Sequence, residues 1–135
     1  MYLFLYIFNS EMAQYDEMLQ IFETFRNRAS LDSEGDCYLI IDELGEVLSY
    51  YGKCKFLVAS PREGKVRHAN GKKYDYHCAV IMGSETVWDP YLDKPLPLDK
   101  YMEQVFENPE NIEFKVYGKL GVLVALISRN YRGLW

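Results

Sequence analysis

A chain of 135 residues with 49% apolar and 26% charged side chains can close a hydrophobic core and does not have the composition of a disordered polymer. Its net charge of −5, with lysines and arginines scattered among acids, lacks the basic face that phosphate recognition needs, which sets nucleic-acid binding aside. Three cysteines, an odd count with no export signal, argue against a disulfide framework, so the expectation is a single domain over residues 1–135 in a reducing cytoplasm.

Residues 1–8 are strongly apolar but lack a basic start, a small-residue cleavage site and the length to cross a bilayer. They read as a buried strand over 2–8, apolar on both faces, with Asn9 or Ser10 placed to cap the next element. From 11 to 28, Met12, Tyr15, Met18, Leu19, Phe22 and Phe25 recur at three- and four-residue spacing, which predicts an amphipathic helix. Residues 29–36 form a polar loop. Ile40, Leu44, Val47, Leu48 and Tyr51 then trace a second helical stripe, ended by Gly52 as a C′ residue.

Asp36 suits the N-cap of that helix and puts Cys37 in its first turn. There the unpaired backbone N–H groups and the positive end of the helix dipole favour thiolate over thiol. The same N–H groups can hold an oxyanion during acyl transfer, with Asn27 and Gln14 as candidates for a second donor.

Residues 53–60 read as a strand, and 61–72 as a charged loop in which His68 faces solvent. A hairpin over 74–89 follows, broken by Gly83-Ser84-Glu85, and 90–97 is proline-rich. Residues 98–106 predict a short helix with Tyr101, Met102, Val105 and Phe106 inward; 112–117 and 120–127 read as two more strands around Gly118 or Gly121. Helices lead and strands dominate the second half, so the expected class is α+β.

The chemistry-bearing residues run in the order thiol, imidazole, carboxylate: Cys37, His77, Asp89. A cysteine attacks a carbonyl as thiolate, an imidazole removes the proton and returns it to the leaving group, and a carboxylate holds the imidazole tautomer. Alternation along 74–82 puts His77 on one face with Ala79 and Ile81, and Cys78 on the other, where it reads as core, as does Cys54. Asp89 shares the face of His77 if the turn has odd length, Gly83-Ser84-Glu85, pairing Ile81 with Val87, or carries an equivalent bulge; a two-residue turn without a bulge would send the carboxylate to the wrong side. No Cys/His set has zinc-ligand spacing and no glycine-rich phosphate loop is present, so neither metal nor cofactor is expected.

A helix-start cysteine, a strand histidine followed by apolar residues, and an Asp-Pro on the next strand resemble the papain-like and transglutaminase-like cysteine hydrolases. Within that group Cys37-Tyr38, Tyr74-Asp75-Tyr76-His77, Val87-Trp88-Asp89, Leu96-Pro97 and Tyr101 are similar to the protein N-terminal glutamine amidohydrolase family. The likeness runs from Cys37 to Phe106, although Leu39-Ile40 stand where that family has acidic residues. The resemblance implies a papain-like fold, with the cysteine helix packed on an antiparallel sheet carrying His77 and Asp89. It also implies substrate contacts from Tyr38, Asp75 and Trp88, with Asp75 or Glu85 supplying a carboxylate for a terminal amine. The expected activity is deamidation of a glutamine in a protein or peptide, with no membrane partner. The alternatives are a protease or acyltransferase effector, which could be exported without a signal peptide, and a protein-binding domain with no catalysis.

Overall fold

The computed structural model describes residues 2–31, 37–83 and 85–128. Helix α1 spans Tyr2–Ser30. The strand expected over 2–8 is therefore its first two turns, with Asn9 and Ser10 inside the helix and not capping it. A short apolar run has no period of its own, and nothing between Phe8 and Glu11 breaks the helical path begun at Tyr2. Phe22 is fully buried, and Met18, Leu19, Ile21 and Phe25 pack around the same core.

Helix α2 spans Cys37–Leu48 and buries Ile40, Ile41, Leu44 and Leu48. It ends earlier than expected. Turn bonds from Tyr50 N–H to the Val47 carbonyl and from Tyr51 N–H to that of Leu48 close it before Gly52, whose φ is not positive. Gly45 sets how closely α2 approaches the sheet: a Cβ there would lie 2.8 Å from Phe56 Cζ.

The strands are β1 (Cys54–Pro61), β2 (Val66–Arg67), β3 (Lys73–Tyr74), β4 (His77–Met82), β5 (Thr86–Trp88), β6 (Leu96–Pro97) and β7 (Ile112–Tyr117). Five of them form an antiparallel sheet in the order β6-β5-β4-β1-β7, and β2 pairs with β3 separately. Helix α3 spans Leu98–Gln104, shorter than the expected 98–106. Phe106 leaves the helix to form a bridge with His68. Residues 120–127, expected as a strand, belong to helix α4 (Lys119–Ser128), whose Val122 is wholly buried. Its apolar run again has no period that separates strand from helix.

Every residue of β4 is buried because both faces of the sheet are covered. Phe56, Val58, Cys78, Val80, Met82 and Trp88 meet α1 and α2 on one face. Leu57, Ala59, Ala79, Ile81 and Val87 meet Tyr101, Val105 and Phe106 on the other. The class is α+β. Among the described residues no helix is long and apolar enough to cross a membrane.

Candidate active site

Asp89 reaches the site through the hairpin register. Ile81 pairs with Val87 and Val80 with Trp88, as a three-residue turn requires. Gly83 at φ 61° and Glu85 at φ 65° adopt the left-handed backbone that bends it. The carboxylate follows on the face of His77, and His77 Nε2 lies 2.9 Å from Asp89 Oδ2.

That oxygen has two further donors. Tyr101 O–H donates at 2.8 Å and His68 Nε2 lies at 2.9 Å, while Tyr91 N–H donates to Oδ1 at 2.9 Å. Asp89 is wholly buried. Burial pushes its pKa up, but the two imidazoles hold the carboxyl far below the usual range.

His68 overturns the expectation of a solvent residue: it is 1% exposed. The segment 61–72 is not all loop, since Val66 points in, Arg67 out and His68 in, the alternation of a short strand. The backbone N–H of Asn70 donates to His68 Nδ1 at 3.0 Å. Because that N–H can only donate, Nδ1 is bare and the ring proton sits on Nε2, pointing at Asp89. Burial, joined by the charge on His77, lowers the pKa of His68 against the opposing pull of Asp89 and Asn70, so the ring is neutral.

His77 behaves oppositely. Burial disfavours its charge, but the charge and hydrogen bond of Asp89, with a contribution from Cys37, push it up to about 10. Its Nδ1 has no hydrogen-bond partner of ordinary geometry among the described residues.

Cys37 opens α2, where its backbone N–H has no intrahelical acceptor; Asp36, the expected cap, lies outside the described residues. The thiol contacts the Tyr76 carbonyl at 3.9 Å. A hydrogen bond from the Cys78 thiol is the largest influence on it. Burial opposes, and the His77 ring and the Cys78 backbone N–H reinforce, so the pKa falls from 9.0 to about 6. Burial, with the Cys37 sulfur alongside, raises Cys78 well above an ordinary thiol, so it stays protonated and can donate. Cys78 is thus core, as expected, and also the largest support of the Cys37 thiolate. Between about 6 and about 10 the pair is thiolate and imidazolium.

The residues tied to substrate are placed differently. Trp88 is 2% exposed and packs edge-on against Phe22, with ring centroids 5.7 Å apart. Tyr38 lies in the same core. Trp88 is covered by Tyr15 and Phe22 of α1. Asp75 is exposed and sits 3.5 Å from Lys65. Glu85 lies at the turn end of β4, roughly 20 Å along the strand from His77 at 3.3 Å per residue. Asn27 and Gln14 are exposed on α1. A cavity of about 290 Å³ lies beside the network, lined in part by Arg26, Ser30, Asn70, Lys72, Tyr91 and Asp93. Tyr91 joins the two, with its ring edge-on to His77 at 5.2 Å.

One ligand atom each from His68, His77 and Asp89 lie within 4.8 Å of one another, a donor set that could hold a divalent metal. The hydrogen bonds do not fit one. A ligating imidazole needs a lone pair on the ligating nitrogen and usually donates from the other. His68 does the reverse, accepting at Nδ1 and carrying its proton on Nε2. The cluster is built as a hydrogen-bonded charge network.

Comparison of the chain with protein-family models, with curated proteins and with solved structures finds no match.

Proposed function

We propose that this chain is a papain-like cysteine amidohydrolase that releases ammonia from a glutamine carboxamide in a protein or peptide, by way of a thioester on Cys37. The observation that carries the reading is His77 bonded to Asp89 through one ring nitrogen while its other nitrogen is uncommitted and its ring acts on a thiol at a helix start. The Cys37 thiolate attacks the carboxamide carbon, and the C–N bond breaks as the His77 imidazolium protonates the departing amine. His77, now neutral, takes a proton from water, which attacks the thioester; the carboxylate leaves and the thiolate is restored. Asp89 holds the ring through both steps and stays ionised. The free N–H groups at the start of α2 would receive the oxyanion.

Cys37 is 2% exposed, so a substrate has to open the site. The cavity beside Tyr91 is the approach the reading favours, because the Tyr91 ring both lines it and lies edge-on to His77. The test is mass spectrometry and ammonia release on glutamine-bearing peptides. A +1 Da product that disappears in Cys37→Ala is expected. Cleaved peptide without ammonia would indicate a protease, and intact peptide an interaction domain.

A further inference from the structure

The proposed mechanism gives His68 no task. His68 is 1% exposed and its ring centroid lies 4.6 Å from that of His77. The titratable groups facing it are Asp89 and His77 from the sheet, Tyr74 from β3 and Tyr91 from the segment after β5; Phe106 closes the apolar side. Tyr101 reaches the same carboxylate oxygen from α3, and Cys37 acts on the far ring.

The two imidazoles make the same bond to the same oxygen, at the same 2.9 Å, and differ at the other nitrogen. Nδ1 of His68 is occupied by the Asn70 backbone N–H, so a second proton there would break that bond. Asn70 is itself anchored, donating from Nδ2 to Tyr74 O–H at 2.9 Å and accepting at Oδ1 from Lys72 N–H at 2.9 Å. Among the described residues Nδ1 of His77 has no such donor against it. Two imidazolium rings this close would repel, and a neutral N–H donor supports a buried carboxylate without adding a second positive charge.

We infer that His68 is a positioning residue, a neutral imidazole that, with Tyr101, keeps Asp89 ionised and aimed so that His77 alone exchanges a proton with Cys37. The inference rests on Cys37 being the nucleophile. Environments that push two like groups apart in proton affinity are how acid–base roles are assigned in buried sites. Here the backbone of one turn makes the distinction.

The chain has only two histidines, so long-range 1H–15N spectra of the labelled protein resolve both rings. At pH 7 to 8 His77 should be doubly protonated and His68 singly protonated on Nε2. The second measurement is the pH profile of Cys37 alkylation by iodoacetamide. His68→Phe removes the donor, leaves the buried carboxylate less supported, and should move the acid limb up by about one pH unit. His68→Gln keeps an N–H donor at the same reach and should restore the wild-type profile. A His68 that is doubly protonated at pH 7, or that carries its proton on Nδ1, overturns the inference, and so does a folded His68→Phe protein with an unmoved limb. If His68→Phe does not fold, the wild-type spectra decide. An ordinary thiol midpoint in the wild type removes the nucleophile and this inference together. A low midpoint that His68→Phe leaves alone removes only this inference.

Discussion

Asp89→Asn keeps the shape of the side chain and removes the charge on which the His77 imidazolium, and through it the Cys37 thiolate, depends. In the native protein burial is the largest influence on His77 and is overcome chiefly by Asp89, which lifts the ring to about 10. Without the carboxylate, burial wins and the ring is neutral at pH 7. Cys37 then loses the imidazolium, and its pKa moves from about 6 toward the ordinary 9.0. At pH 6 a full return would cut the thiolate fraction from about one half to about one thousandth, roughly 500-fold. A more basic thiolate is intrinsically faster, by roughly 20-fold over three pK units, so the net fall in alkylation rate is at most roughly 25-fold. The Cys78 hydrogen bond survives the substitution and keeps the effect below that limit. The assay is iodoacetamide labelling from pH 5 to 10 with peptide mapping, using half-buried Cys54, a thiol raised by burial, as internal reference. Stability should fall by about 3–5 kcal/mol, because an amide cannot satisfy all the donors aimed at one oxygen. A folded Asp89→Asn protein that still labels with a midpoint near 6 would refute the ion-pair account.

Cys78→Ala removes the largest single support of the Cys37 thiolate and should raise the labelling midpoint above 6 while leaving it below 9.0, since His77 remains. Stability should be nearly level from about pH 6.5 to 9 in urea titrations. His77, raised from 6.5, contributes fully below 6.5 and loses its contribution as pH rises through 10; Cys37, lowered from 9.0, contributes fully above 9 and loses it as pH falls through 6. The two slopes cancel between 6.5 and 9; from pH 9 to 10 His77 and the raised Cys78 thiol each lose roughly 1 kcal/mol, about 2 kcal/mol together. Neutral His68 adds a loss as pH falls below 6.5, because the unfolded ring takes a proton that the folded one refuses. Gly45→Ala should destabilise by about 1 kcal/mol in thermal melts. A Cβ 2.8 Å from Phe56 Cζ costs about 1–3 kcal/mol of overpacking, against about 1 kcal/mol gained in helix propensity; an unchanged midpoint would mean that the Phe56 ring yields freely.

What the sequence made legible follows from where its patterns have a period. The stripe from Met12 to Phe25 and that from Ile40 to Leu48 each have a helical repeat, and both helices are present. The hairpin was constrained even to its turn, because an odd turn length or an equivalent bulge is what puts Asp89 on the face of His77, and Ile81 does pair with Val87. Residues 2–8 and 120–127 are apolar without a period, and both became helix where strand was expected. Trp88 and Tyr38 are tied to substrate by the family resemblance alone. The burial of Trp88 depends on where α1 lies, which no local pattern states.

His68 is the instructive omission. Arg62, Glu63, Lys65 and Arg67 surround it and make the stretch look solvated, yet Val66, Arg67 and His68 already alternate in, out, in. That alternation was the available signal, and the surrounding charge hid it. A histidine on the inward side of such a strand has to end against either an acceptor or apolar surface, because an unpaired buried imidazole is costly. Asp89 needs donors for the same reason, and one histidine cannot supply them all. A carboxylate placed inside the core by the hairpin register therefore demands partners from outside the hairpin, and the fold delivers them from the residue after β2 and from α3 as His68 and Tyr101.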